Sequence, residues 1–234
     1  MNYTTILFDM DGTIIDTESL WVEATRLLLL KRGIAVTAQM QNEINLRVRG
    51  LHVKAICDEL KSMFNLIDDR ASLAQEEEEL AYNLYDTHLK FMEGFETFHA
   101  HVKALNIKCA IATNATNDAL KKTNSILNLE SFFGKHIYGS ACVQGVTKPA
   151  PDIFLYAAQQ LKSKPSECIV IEDSRHGVTA AKAAGMYCIG INSTGIAEFT
   201  QAADIVVKNF LELNAQKLCN GAFDQSSLKQ EHHP

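Results

Sequence analysis

The chain has 234 residues, 47% of them apolar and 21% charged, with a formal net charge of -6. That length allows one large domain or two small ones with a sizeable core, and the acidic balance gives no electrostatic footprint for nucleic acid or an anionic membrane. The longest apolar stretch near the start, Leu27–Leu30, is far too short to span a bilayer, and no basic end precedes an apolar core there, so a soluble cytoplasmic protein without a signal peptide is expected.

Thr5–Phe8 reads as a buried strand, β-branched and aromatic with no charge. It runs into Asp9-Met10-Asp11-Gly12-Thr13. In open α/β sheets, ligands bind at the carboxyl ends of the strands, and side chains two apart on an extended segment point the same way. Asp9 and Asp11 can therefore converge on one reacting group or one cation. Their mutual repulsion calls for a cation, a proton or both. An ordinary Asp-Gly turn at a strand end is the other reading of these residues.

From about Glu18 to Met92 the pattern is helical, without a convincing strand. Leu20, Ala24, Leu27 and Leu28 mark one apolar face, and Ile56, Leu60 and Met63 another. The run Glu76–Glu79 reads as a solvated helix face. This block, residues 17–93, is inserted between the first strand and the rest, with borders near Asp16-Thr17 and Glu93-Gly94. An insert hinged beside the sheet mouth would serve as its cover.

Helix and strand then alternate. The pattern predicts a helix over Phe95–Asn106, a strand over Ile107–Ala112, a helix over Asn117–Leu127 capped by Asn117, and a short strand near His136–Gly139. A helix over Asp152–Leu161 opens at Pro151. The strand Cys168–Ile171 ends in Glu172-Asp173. The helix Ser174–Ala184 stops at Gly185, and strands come next at Tyr187–Ile191 and Asp204–Val207. Such alternation indicates a parallel sheet covered on both faces. The expected class is α/β, a Rossmann-like three-layer core (residues 1–16 and 94–234) with an inserted α-helical cap (17–93).

Six cysteines, at positions 57, 109, 142, 168, 188 and 219, form no CxxC pair and read as reduced, structural thiols. The eight histidines show no metal-ligand spacing. His99 and His101 are two apart on a helix and point to different sides, and His232 and His233 lie in a polar tail.

Polar signals recur at strand ends: Thr113-Asn114, Lys148 in Thr147-Lys148-Pro149-Ala150-Pro151-Asp152, and Glu172-Asp173. In a parallel sheet these join Asp9 and Asp11 on one edge. Each suits phosphoryl chemistry. Asp9 and Asp173 are hard oxygen ligands for Mg²⁺. Asp9 could attack phosphorus, and Asp11 could give a proton to the leaving oxygen and later take one from water. The Thr113 hydroxyl and nearby N–H groups could hold phosphate oxygens, and Lys148 adds a point positive charge. Taken singly, each of these also reads as a turn, a cap or a surface lysine.

Asp9-Met10-Asp11-Gly12-Thr13, Thr113, Lys148-Pro149 and Glu172-Asp173 resemble, in order, the four motifs of the haloacid dehalogenase superfamily, over residues 4 to about 207. Lys148–Phe154 and Ile171–Ser174 are similar to its β-phosphoglucomutase and sugar-phosphatase branch, whose small helical cap matches the insert. The resemblance implies that Asp9 is the nucleophile and Asp11 the acid/base. It implies that Asp9, the Asp11 carbonyl and Asp173 bind Mg²⁺ with Glu172 in support, and that Thr113 and Lys148 bind phosphate, with Asn114 beside them as a further phosphate-binding candidate at the rim. In the mutases of the branch, a His comes after the Asp-Thr hinge. Here Asp16-Thr17-Glu18-Ser19-Leu20-Trp21 has Trp21 at that place and is similar to the phosphatases instead. The cap residues Arg47, Arg49 and His52 flank Gly50 like the branch's specificity loop, with Arg49 and His52 the candidate substrate contacts and His176 a candidate at the rim.

The implied activity is Mg²⁺-dependent hydrolysis of a small phosphorylated metabolite, a sugar phosphate, by a monomer. The alternatives are a sugar phosphomutase and a catalytically silent phosphate-binding protein.

Overall fold

A computed structural model describes residues 3–48, 53–192 and 202–221. Arg49, His52, His232 and His233 lie outside the described residues. The chain divides into two compact units, Met1–Asp16 with Lys90–Pro234, and Thr17–Leu89.

The first unit is built on six parallel strands in the order β3-β2-β1-β4-β5-β6. They are β1 (Thr5–Phe8), β2 (Lys108–Ala112), β3 (Ile137–Tyr138), β4 (Cys168–Glu172), β5 (Tyr187–Ile191) and β6 (Ile205–Val207). β1 is central: Leu7 lies opposite Ala110 of β2 on one side and Val170 of β4 on the other. Successive strands run outward from β1 in one direction and from β4 in the other. The β1–β4 junction is thus a topological switch point, where α/β sheets bind ligands. β1 and β4 are buried along their whole length, which accounts for their unbroken apolar sequences, since a strand covered on both faces has no polar side to show.

Alternate residues of β1 seed two cores. Leu7 faces a cluster with Val170 of β4 and with Phe154 and Ala157 of α8 (Asp152–Gln160) and Ala181 of α9 (Arg175–Ala183). Phe8 faces the other way. Its ring lies 6.0 Å from Phe95 and 6.4 Å from Phe98 of α5 (Phe95–Ala104), and 5.6 Å from Phe133 of α7 (Leu129–Phe133). β2 leads to α7 through α6 (Asn117–Leu127), and the described chain ends near α10 (Ala215–Cys219). The cap of α6 is Thr116, not Asn117. Thr116 is extended, and its hydroxyl accepts the Ala119 N–H at 3.3 Å, whereas Asn117 already has helical backbone. Ser174 likewise stands outside α9 as its cap, accepting the Gly177 N–H at 3.0 Å.

Where the chain leaves and re-enters this unit, Asp16 N–H donates to Lys90 O at 3.0 Å and Met92 N–H to Ile14 O at 2.9 Å. Residues 90–92 are thereby tied to 14–16.

The second unit is helical: α1 (Glu18–Leu30), α2 (Ala38–Val48), α3 (Val53–Phe64) and α4 (Arg70–His88). Its core holds Leu28, Leu29, Ile44, Cys57, Leu60 and Leu73. The Glu76–Glu79 run is not one solvated face. Glu76 pairs with Lys31 at 2.9 Å and Arg32 at 2.7 Å. Glu77 is fully buried, accepting from the Thr25 hydroxyl at 2.5 Å and the Cys57 thiol at 3.5 Å. Four consecutive residues circle a helix of 3.6 residues per turn, so such a run cannot all face water on a packed helix. Burial raises the Glu77 carboxyl above its ordinary range. Among the described residues, no helix is long and apolar enough to cross a membrane.

All six cysteines are free, and five are buried. His99 is buried between Phe8, Phe95, Phe132 and Phe133, with its Nε2 unpartnered, while His101 is exposed. Burial, aided by the Lys103 charge, lowers the His99 pKa to about 4. An unfolded histidine takes its proton near pH 6.5. The unfolded chain therefore gains protons first as pH falls, and this contribution to stability is whole above 6.5 and lost between 6.5 and 4. We expect His99→Phe to reduce the fall in Tm between pH 7.5 and pH 5, by on the order of 1 kcal/mol of unfolding free energy. An unchanged pH dependence would refute the assignment.

Candidate active site

Asp9 stands directly after the last residue of β1, and its N–H still pairs with Ile171 O of β4 at 3.0 Å. The chain then turns sharply: the N–H groups of Ile14 and Ile15 both donate to Met10 O, at 3.0 and 3.1 Å. Gly12 sits in the turn at φ +79°, and a Cβ there would lie 2.3 Å from Asp173 Oδ2. The missing side chain lets this loop approach the end of β4. Thr13, fully buried, completes the junction by donating its hydroxyl to Asp173 Oδ1 at 2.9 Å.

The end of β4 is organised by Glu172. Its Oε2 accepts the N–H groups of Asp173 and Ser174, both at 2.9 Å, and the Ser174 hydroxyl at 3.0 Å. The carboxylate thus sits at the start of α9, where unpaired N–H groups and the helix dipole favour negative charge. Its Oε1 accepts from Lys148 Nζ at 2.7 Å. Lys148 Nζ also donates to Asp9 Oδ1, so one buried ammonium joins the ends of β1 and β4. The Lys148 backbone is held too: its N–H donates to Asn114 Oδ1 at 2.9 Å. Thr113 is buried at the end of β2, its hydroxyl accepting the Ala115 N–H at 3.2 Å.

Negative charge exceeds positive here. Carboxylate oxygens of Asp9, Glu172 and Asp173 lie within 4.8 Å of one another. Burial lifts the Asp9 pKa to about 7 although Lys148 pulls it down, and lifts Asp11 to about 6 against the same pull. Asp173 is raised well above the carboxylate range by burial, Glu172 and Asp9. Burial by itself would lower Lys148, but Asp9 and Glu172 outweigh it and hold the lysine firmly protonated. A cluster of carboxylates disfavoured as anions by burial and by one another fits a further cation, and an all-oxygen donor set suits Mg²⁺. Both Glu172 oxygens are already engaged, so Glu172 fits as a brace and Asp9 and Asp173 as the donors.

The family described as haloacid dehalogenase-like hydrolase matches residues 6–191. The chain belongs to that family. It is 33% identical over 190 residues to a Drosophila melanogaster protein described as "Probable pseudouridine-5'-phosphatase", covering 80% of each chain. It is 30% identical over 182 residues to the phosphorylated carbohydrates phosphatase of Thermotoga maritima, covering 77% of this chain and 81% of that one. The crystal structure of a haloacid dehalogenase family hydrolase from Deinococcus radiodurans R1, with bound phosphate and sodium, superposes with a TM-score of 0.80 at 26% identity. It covers 94% of this chain and 97% of the other.

Within this haloacid dehalogenase-like core, Asp9, Lys148, Glu172 and Asp173 meet at one point, with Asp11 close enough for its charge to act on Asp9. Asn114 is exposed, and its side-chain oxygen accepts from the Lys148 backbone N–H. His176 is exposed on α9. Trp21 is half-buried on α1, and Arg47 pairs at the surface with Glu43 at 3.1 Å and Glu59 at 3.8 Å. Sequence reasoning gave no role to Thr13 or Gly177, and to Ser174 only that of a helix cap. Ser174 three residues before a glycine carried a weak capping signal, but a close approach of a carboxylate to a glycine has no local signature.

A Cβ at Gly177 would lie 1.6 Å from Glu172 Oε1. Gly→Ala in an open helix gains about 1 kcal/mol. Here Gly177→Ala is expected to reverse that sign and cost about 1–3 kcal/mol by evicting a buried, hydrogen-bonded carboxylate. A thermal melt checks it, and a rise in Tm would contradict the packing described.

Proposed function

We propose that the protein is a Mg²⁺-dependent phosphatase acting on a small phosphorylated metabolite, a sugar phosphate, through an aspartyl-phosphate on Asp9. The observation that carries this reading is the convergence of Asp9, Lys148, Glu172 and Asp173 at the β1–β4 switch point. The similarity to phosphatases of phosphorylated carbohydrates and of a nucleoside phosphate supports it.

An Asp9 carboxylate oxygen attacks phosphorus, and the bond from phosphorus to the leaving oxygen breaks while Asp11 gives that oxygen a proton. Water then attacks phosphorus, Asp11 takes a proton from it, and the Asp9–phosphorus bond breaks to release inorganic phosphate. A carboxyl with pKa near 6 can do both jobs at neutral pH. Lys148 and the Thr113 hydroxyl hold phosphate oxygens and offset their charge. Asp9, the Asp11 carbonyl and Asp173 would hold Mg²⁺, which when bound supplies charge neutralisation at the transferring phosphoryl group. Glu172 orients Lys148 and the loop that bears Asp173.

The helical insert serves as the cap and selects the substrate, with Arg49 and His52 as its candidate contacts. Trp21, in place of the hinge histidine of the mutases, favours hydrolysis over transfer between sugar positions. The protein acts as a cytoplasmic monomer.

Asp9→Asn is expected to lower kcat at least about a thousandfold in a phosphate-release assay, and Asp11→Asn to block leaving-group protonation and dephosphorylation. EDTA should abolish turnover and excess Mg²⁺ restore it. With β-glucose 1-phosphate, free phosphate should appear, whereas glucose 6-phosphate accumulating instead would identify a mutase. Near-normal turnover by Asp9→Asn would exclude the mechanism.

A further inference from the structure

Lys148 is bound on more than its carboxylate sides. Its Nζ stands over the ring of Phe154, 4.6 Å from the centroid. Phe154 is fully buried on α8, packed in the cluster that includes Leu7 and Val170 beneath the strands that carry Asp9 and Glu172. Its N–H donates to Pro151 O at 3.1 Å, so the ring springs from the first turn of a helix that starts four residues after the lysine. An aromatic face attracts a cation through its quadrupole, and the attraction is strongest where water is excluded. Lys148, 6% exposed, is such a case.

This contact has a property the two carboxylates lack. In the proposed reaction Asp9 becomes an acyl phosphate: its carboxylate charge is spent in the new bond, and the phosphoryl oxygens replace it as the anionic partner of the ammonium. The charge on Glu172 and the face of Phe154 do not change. Glu172 pulls Nζ toward β4, and the ring attracts it from the α8 side.

We infer that Phe154 is a positioning residue, whose ring face holds the Lys148 ammonium at the phosphoryl site while its anionic partner changes from the Asp9 carboxylate to the phosphoryl oxygens. The inference rests on the phosphatase reading for its kinetic consequence, but the contact itself does not.

The test replaces Phe154 by phenylalanines carrying one, two and three ring fluorines, which keep nearly the same shape while emptying the face of negative potential. With a generic phosphomonoester and Mg²⁺, kcat/KM should fall stepwise with fluorine number, by roughly tenfold across the series. Mere packing predicts no such ranking. The same substitutions are made in Lys148→Met, and thermal unfolding is monitored in both backgrounds. Fluorination should lower Tm in the lysine protein and leave it unchanged in Lys148→Met.

A flat kcat/KM series in an active enzyme, or equal Tm shifts in both backgrounds, would overturn the proposal. If the unsubstituted protein releases no phosphate, the phosphatase reading fails, and the unfolding comparison still decides whether the ring holds the ammonium.

Discussion

The site depends on one buried ammonium held between two carboxylates. Lys148 donates to Asp9 at the end of β1 and to Glu172 at the end of β4, and all three side chains are withdrawn from water. Burying charges costs several kcal/mol per ion unless pairing and hydrogen bonds compensate, and the surroundings supply that compensation. Glu172 accepts three further donors from Asp173 and Ser174. Asn114 fixes the lysine at its backbone. Removal of the lysine would leave two buried carboxylates facing each other beside Asp173, so the residue is as much a condition of the local fold as a participant in chemistry.

The sheet brings these groups together because β1 and β4 are neighbours, though some 160 residues separate them in the chain. Their apolar runs are interchangeable in kind. The two strands differ in their exits: a glycine turn leaves β1, and a capped helix leaves β4. Gly12 and Gly177 are two positions where a methyl group would collide with an acid side chain. The backbone thus approaches Asp173 and Glu172 more closely than any other residue would permit, while burial and the charges of neighbouring carboxylates raise the affinity for protons at Asp9 and Asp173.

Much of this was legible in the sequence because strand periodicity and the chemistry at strand ends dictate it. Asp9, Asp11, Lys148, Glu172 and Asp173 each stand just beyond an apolar run or just before a helix, and a parallel sheet gathers such positions on one edge. Side chains whose partners lie far off in sequence escaped. Asn114 spends its amide oxygen on a backbone N–H 34 residues away, and a polar residue at a strand end looks the same whether it faces substrate or backbone. Glu77, inside a run of glutamates, gave no sign that α1 and α3 would enclose it. Phe154 is a core residue of α8, and its contact with Lys148 depends on a placement of the ammonium over its ring that sequence spacing does not show. The exchange of Asn117 for Thr116 as helix cap is a one-residue difference of the usual kind, since both residue types serve.

In the proposed reaction Asp9 is the residue that takes the phosphoryl group. Rapid-quench mass spectrometry during turnover measures this most directly: the peptide containing Asp9 should carry one added phosphoryl group, and borohydride reduction should convert that aspartate to homoserine. Phosphoryl label on any other residue, or turnover that proceeds with none at Asp9 on the catalytic timescale, would contradict it.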